Sequence, residues 1–288
     1  MAVLERAGYE ELIPPTFEYE DVFLRAGGAG VAERLVRFPD RDGRILALRY
    51  DFTASLARVA ATTFSAAAVP LRLSYSGLVY RQEPERGGRP REMLQVGAEL
   101  LGQNDLKADI EVVRLALSLV QAAGLRDFQL NLGHVGVLAA GLADIDEPLR
   151  SDVRRWIDRK DRGSLSRALA NFSGDACTLT TLPFVIGRRD ALEEAARRAP
   201  QASHAGLRHL LALDAALSAD DRAHLVYDLG EVRGLDYYTG IHFELYIAGA
   251  GRAVGAGGRY DDLMGRFGRA LPAVGVSLDL DALAEVQV

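Results

Sequence analysis

The sequence predicts an α+β fold, an antiparallel sheet flanked by helices and carrying a helical insertion. Three observations lead there. Two extended segments, 71–81 and 93–101, follow one another around a Gly/Pro/Arg-rich turn at Gly87-Gly88, the pattern of an antiparallel hairpin. Strand-like segments occur at both ends of the chain. Between them, 135–218 is Ala/Leu/Arg-rich and helical in character, with breaks at Gly163, Asn171 to Gly174 and Gly187. Neighbouring strands that follow each other directly favour antiparallel pairing over a doubly wound parallel sheet.

The elements follow in order. Residues 1–25 read as a helix end, a turn at Pro14-Pro15 and a second helix. Residues 44–50 alternate weakly and fit a strand, and a helix follows from Thr53 to about Ala61. The clearest helix spans 105–123, where Leu106, Ile110, Val113, Leu117 and Val120 fall on one face, Asn104 or Asp105 caps the start and Gly124 stops it. Phe128 to Leu132, Leu225 to Asp228 and His242 to Ile247 read as strands. A Gly-rich turn at Gly255 to Gly258 precedes a helix from Asp261 to Phe267, and Ala273 to Leu278 is extended. The partition expected is a core at 1–134, a helical insertion at 135–222 and a return to the core at 223–288.

Composition narrows the class. The chain has 288 residues, 49% of them hydrophobic and 26% charged, as in ordinary globular proteins. No apolar run approaches the roughly 20 residues that span a bilayer. Met1 to Glu10 carries two glutamates and no apolar block, so no signal peptide is expected and the cytoplasm is the default. One cysteine, Cys177, excludes an internal disulfide framework or a multi-cysteine zinc site. A net charge of -6 argues against a dedicated nucleic-acid binder. The five histidines, at 134, 204, 209, 224 and 242, show no metal-ligand spacing and are expected to be surface or satisfied residues.

Chemistry concentrates in Tyr80 to Glu99. Arg81 and Arg91 flank the hairpin turn, and arginine's planar fork suits carboxylates and phosphates. Gln95 and Glu99 lie four apart, which puts both on one face of a strand, and such a polar pair needs partners.

This segment resembles motif 2 of class II aminoacyl-tRNA synthetases in its histidyl version: Tyr-Arg-x-Glu, a Gly-Arg in the turn, then Gln-x-Gly-x-Glu. Val232 to Glu244, containing Arg-Gly-Leu-Asp-Tyr-Tyr, is similar to the histidine-binding segment of histidyl-tRNA synthetases. Ala256 to Leu263 (Ala-Gly-Gly-Arg-Tyr-Asp-Asp-Leu), Leu48 to Thr53 (Leu-Arg-Tyr-Asp-Phe-Thr) and Gly8 to Pro15 resemble further segments of that family, the last a part of its dimer-forming motif 1. The five matches are collinear.

The resemblance implies a histidine pocket. Asp51, Thr53 and Gln95 match positions that hold the ammonium group. Glu99 and Tyr237 match the partners of the two imidazole nitrogens, and Tyr238 matches a second pocket tyrosine. Arg233 matches the family's catalytic arginine and Arg81 the arginine on the α-phosphate. The ATP side departs from the pattern. Motif 3's arginine is Ala282 and the glycine near it is Asp279; Glu83-Pro84-Glu85 replaces Glu-Arg-Pro; Asp51 stands for glutamate. The chain ends about five residues after motif 3, where a synthetase continues into an anticodon-binding domain.

These departures resemble the regulatory subunits of ATP phosphoribosyltransferase, synthetase paralogues of histidine biosynthesis. That implies no catalytic residue, no cofactor and no metal. It implies a short-form catalytic subunit as partner, L-histidine as effector, a homodimer within a hetero-oligomer, and neither membrane nor tRNA as partner. Intact Arg81 and Arg233 keep open a truncated synthetase, or a paralogue with residual histidine-activating activity. A stand-alone histidine-binding protein is the third reading.

Overall fold

The computed structural model describes residues 1–27, 29–82, 90–172, 174–232 and 238–287, apart from the side chains of Ala29 and Cys177. The chain forms two compact units, Met1–Arg126 together with Ile247–Val288, and Asp127–Tyr246.

The first unit opens with helix α1 (Ala2–Arg6) and strands β1 (Glu10–Glu11) and β2 (Phe17–Tyr19). Helices α2 (Glu20–Gly27) and α3 (Ala29–Ala32) lead to β3 (Arg37–Pro39) and β4 (Ile45–Leu48), and β2-β4-β3 make a small antiparallel sheet. Asp51 then takes an extended conformation, and its side chain accepts from the Ala54 N–H at 2.9 Å, capping α4 (Phe52–Thr62). The predicted hairpin is β5 (Leu71–Tyr80) against β6 (Glu92–Leu101), paired over their full lengths. Its turn at Gly87-Gly88 lies outside the described residues.

Helix α5 (Leu106–Ala122) starts at Asp105, whose carboxylate accepts from the Ala108 N–H at 3.0 Å. Val113, Leu117 and Val120 are buried as the periodicity predicts, but Leu106 and Ile110 are only half-buried; Asp109, Val112 and Ala116 go deeper. Asp109 is buried because it pairs with Arg259, at 2.9 and 2.7 Å. A buried carboxylate needs such a partner.

The second unit contains β7 (Phe128–His134), α6 (Ala139–Ala143), α7 (Leu149–Asp158), α8 (Arg162–Ala168), α9 (Ala176–Thr181), β8 (Ile186–Gly187), α10 (Arg189–Arg198), α11 (His204–Ala216), α12 (Ala219–Ala223), β9 (Leu225–Asp228) and β10 (Ile241–Ile247). Its strands lie in the order β10-β7-β9-β8, with β7 and β9 parallel. On the helix-covered side, Tyr227 donates to Asp214 of α11 at 2.7 Å.

The chain returns to the first unit with β11 (Gly255–Arg259), β12 (Ala273–Asp279) and α13 (Leu280–Glu285), completing the order β1-β5-β6-β12-β11. These pairs are antiparallel except β1 with β5. Gly255 to Gly258, expected as a tight turn, is instead strand β11, and only a short 3-10 turn at Met264–Phe267 stands where a helix was expected. The glycines serve the floor of the site rather than a reversal of the chain.

Candidate functional site

The centre of the first unit's sheet carries the candidate site. In antiparallel strands, residues directly opposite one another share a face. On β6, Gln95, Gly97 and Glu99 face one way. Opposite them on β5 are Gly77, Tyr75 and Leu73, and on β12 Asp279, Ser277 and Gly275. Ala256 and Gly258 of β11 lie opposite Ser277 and Gly275. The result is a polar pair flanked by the small residues of β11 and β12 on one side and by Tyr75 and Leu73 of β5 on the other.

The glycines are required by what stands on them. A Cβ on Gly275 would overlap Glu99 Oε2 and lie 2.6 Å from the Tyr260 hydroxyl. A Cβ on Gly97 would collide with the Tyr75 hydroxyl and approach the Val276 carbonyl to 2.5 Å. Real Cβ contacts that close do not occur, so only glycine admits these side chains.

Glu99 is 2% exposed. The Thr53 hydroxyl donates to its Oε1 at 2.7 Å, and the Tyr260 hydroxyl donates to its Oε2 in a short bond. Burial pushes its carboxyl up to about 8; the Thr53 bond opposes this, and the charge of Asp51 adds to it. At pH 7 Glu99 therefore holds its proton. A protonated carboxyl can both donate and accept, the complement of an imidazole edge.

Asp51 lies on the same side. Burial raises its pKa, while its bond from the Ala54 N–H and the Arg81 charge oppose the rise. One of its oxygens is committed to the helix cap. Arg81 donates from Nε to the Tyr50 carbonyl at 3.2 Å, and its guanidinium lies 4.9 Å from the centre of the Tyr50 ring. The structure thus brings Asp51, Thr53, Arg81, Gln95 and Glu99 together in one unit. Arg233 and Tyr237 lie outside the described residues. Tyr238 belongs to the second unit, where its ring stacks on His242 at 6.0 Å and 23°. Glu83 and Glu85 also lie outside the described residues.

Tyr260 was missed. It sits in the Gly-Gly-Arg-Tyr-Asp segment that the sequence singles out, but no spacing rule connects it to a glutamate 161 residues away. Arg49 was missed as well. It is 6% exposed, donates to the carbonyls of Pro14 (3.0 Å), Pro15 (3.1 Å) and Leu78 (3.0 and 2.8 Å), and lies 4.1 Å from the Phe52 ring centre. It ties the Pro14-Pro15 segment to β5 and to the start of α4.

One expectation changes. Asp279, read as a bare carboxylate beside the triphosphate position, caps α13 through the Ala282 N–H at 2.9 Å and pairs with Arg252. His242, expected to be satisfied or at the surface, is 3% exposed, and the backbone at Glu231 and Gly240 hydrogen-bonds to its ring. Burial lowers its pKa, against the opposing influence of Glu231 and Asp228. Among the described residues no group of three or more His, Cys, Asp or Glu side chains could hold a metal ion, and no helix is long and apolar enough to cross a membrane.

The family model described as histidyl-tRNA synthetase matches residues 1–283. An ATP phosphoribosyltransferase regulatory subunit of Moorella thermoacetica is 40% identical, over 96% of this chain and 73% of its own length. The chain belongs to the ATP phosphoribosyltransferase regulatory subunits, within the histidyl-tRNA synthetase family. The crystal structure of an ATP phosphoribosyltransferase regulatory subunit/histidyl-tRNA synthetase from Bacillus halodurans C superimposes with a TM-score of 0.89 at 32% identity, covering 99% of this chain and 76% of that one. The ATP phosphoribosyl transferase (HisG:HisZ) complex from Thermotoga maritima shares the fold, with a TM-score of 0.72 at 20% identity, over 97% of this chain and 94% of that one. Membership in this family accounts for the α+β class.

Proposed function

We propose that this chain is the histidine-sensing, non-catalytic regulatory subunit of a short-form ATP phosphoribosyltransferase. It binds L-histidine over the β6–β12 floor and conveys the effector's presence to a catalytic partner in the cytoplasm. The observation that carries this reading is Glu99: a buried carboxyl, held at one oxygen by Thr53 and at the other by Tyr260, at the position that the family motif gives to a partner of the imidazole. Gln95, Thr53 and Asp51 supply acceptors for the ammonium group, and Arg233, Tyr237 and Tyr238 match the family's histidine-binding motif in the sequence. The relatives' printed names support the regulatory role. Ala282 and the Arg252-paired Asp279, where a synthetase binds triphosphate, support the lack of catalysis.

A homodimer through the N-terminal segment belongs to this reading. Ile13 and Phe17 there are 80% and 51% exposed, apolar surface that a second copy would cover. The deciding experiment is co-purification with a short catalytic subunit, followed by activity assays with and without histidine, and calorimetry with L-histidine. Activation by the chain and inhibition by histidine are expected. No assembly, or no binding at millimolar histidine to chain or complex, overturns the reading. Arg81 beside Asp51 favours the competing reading, residual histidine activation, which pyrophosphate exchange tests.

A further inference from the structure

Asp51 and Thr53 stand where β4 gives way to α4, and a single guanidinium holds the chain at that junction. Arg49 Nη1 donates to the carbonyls of Pro14 and Pro15, at 3.0 and 3.1 Å, while Nε and Nη2 both donate to the Leu78 carbonyl, at 3.0 and 2.8 Å. Its main chain repeats the link. The Arg49 N–H donates to the Thr16 carbonyl at 2.8 Å, and the Arg49 carbonyl accepts from the Tyr80 N–H at 2.8 Å. The N-terminal segment, the end of β5 and the approach to α4 thus meet at one residue, all within the first unit.

From Arg49 two short routes lead to Glu99. One runs across the sheet. The guanidinium lies 4.1 Å from the centre of the Phe52 ring, and Phe52 stacks on Tyr75 with centroids 4.2 Å apart at 10°. The Tyr75 hydroxyl in turn lies against Gly97, between Gln95 and Glu99 on β6. Gly77, opposite Gln95, leaves room for this arrangement: a Cβ there would lie 3.1 Å from Arg49 Nη2 and 3.2 Å from the Phe52 ring. The other route runs along the chain to Thr53, whose hydroxyl donates to Glu99 at 2.7 Å.

Arg49 is buried, and among the described residues its side chain bonds only to backbone carbonyls, with no carboxylate paired to it. A buried cation without a counter-ion costs stability. Its planar fork of donors, however, joins two separate segments at once, which a lysine's single nitrogen or an apolar side chain does not do.

We infer that Arg49 is a positioning residue for the effector site: by holding the N-terminal segment, the end of β5 and the start of α4 on one guanidinium, it fixes Thr53 and Asp51 against Glu99. This rests on the histidine-binding reading. It makes histidine affinity depend on the Pro14-Pro15 segment, which supplies no residue of the proposed pocket.

The experiment uses the full chain with free L-histidine as probe, reading affinity by calorimetry and Tm for each variant. Arg49→Lys keeps the charge and loses the fork. Arg49→Gln keeps a donor and removes the buried charge, which guards against a failure to fold. Arg72→Lys is the control: Arg72 pairs with Glu111 at 2.8 Å, on the face of β5 that points away from Glu99. Both Arg49 variants are expected to weaken histidine binding about tenfold, within the usual range of coupling between sites. Arg72→Lys is expected to stay within about twofold of wild type even where its Tm falls as far. Thr53→Val completes a double-mutant cycle. If Arg49 acts by placing Thr53, the two losses do not add, and Arg49→Lys costs less than about threefold once Thr53→Val is present. Wild-type affinity in either Arg49 variant overturns the proposal. So do fully additive losses in the cycle, or an equal loss in Arg72→Lys, either of which would mean that stability alone is being read. A wild-type chain that binds no histidine sinks the pocket reading itself, a result distinguishable because it precedes any substitution.

Discussion

Glu99 and His242 are two buried titratable groups whose shifts act at opposite ends of the pH scale. The folded chain holds the Glu99 proton up to about 8, whereas the unfolded chain releases it near 4.5. The folded state therefore binds more protons between those values, and this contribution to stability is lost as pH rises through them. Glu99→Gln removes it, so Tm of the variant should gain on wild type from about pH 4.5 to about pH 8 in melts across that range. Histidine binding carries the same signature. A carboxyl and an imidazole share one proton best between the free imidazole pKa of roughly 6.5 and the Glu99 value near 8. Calorimetry should show affinity highest in that window. Glu99→Gln, which keeps a donor and an acceptor but cannot ionise, should flatten the alkaline limb while affinity near pH 7 changes little. A pH-independent wild-type affinity would count against Glu99 as the imidazole's partner. For His242, burial lowers the pKa below 6.5, so the fold resists its protonation and stability falls as pH drops below that value. His242→Leu should gain on wild-type Tm as pH falls from 7 to 5. A Tm difference that stays constant between those values would mean that the ring's pKa is not lowered by the fold.

At the scale of elements, legibility followed periodicity. Helix α5 and the β5–β6 hairpin were readable because their residues repeat with a helix or strand period over ten residues or more. Strand β11 was not, since Gly255-Ala-Gly-Gly-Arg lacks the β-branched and aromatic residues that mark strands, and glycine runs usually signal turns. It is a strand because its neighbour β12 supplies a full ladder. Gln95 and Glu99 were legible from their even separation on one strand. Tyr260 and Gly275 were not, because their roles arise only when β12 is laid against β6. Gly275→Ala tests that floor. Its Cβ would have to displace Glu99 or Tyr260, so histidine binding should fall by more than tenfold, with an overpacking cost of about 1–3 kcal/mol in Tm or denaturant melts. Gly249→Ala is the control: its Cβ has one neighbour at 4.0 Å, and its φ of +90° makes it strained but distant from Glu99. A loss of histidine binding equal in both variants would show that general destabilisation, not the floor, is being read.

The whole molecule poses a question that neither residue nor element answers alone: whether a synthetase-like sheet, with the histidine pocket proposed for it, activates histidine. Five collinear motif matches made the family readable from one sequence, while the departures on the ATP side could be read only as lost side chains. The structure adds what replaced them. Asp279 does not stand free in the triphosphate position; it is bonded to the first turn of α13 and paired with Arg252. Ala282, where the family has an arginine, is 1% exposed, packed into the unit rather than open to a ligand. A triphosphate there would meet a neutral, filled wall in place of a cation, and the charge stabilisation that phosphoryl chemistry depends on would be missing. The chain should therefore show no histidine-dependent pyrophosphate exchange with ATP and magnesium, while binding histidine in calorimetry under the same conditions. Ala282→Arg alone should not restore exchange, because a buried position must first open to admit a guanidinium, at a cost a single favourable contact does not offset. Exchange at a synthetase-like rate in the unmodified chain would overturn the non-catalytic assignment. Exchange restored by Ala282→Arg alone would place the loss of activity in that one side chain rather than in the closed wall formed by Asp279, Arg252 and α13.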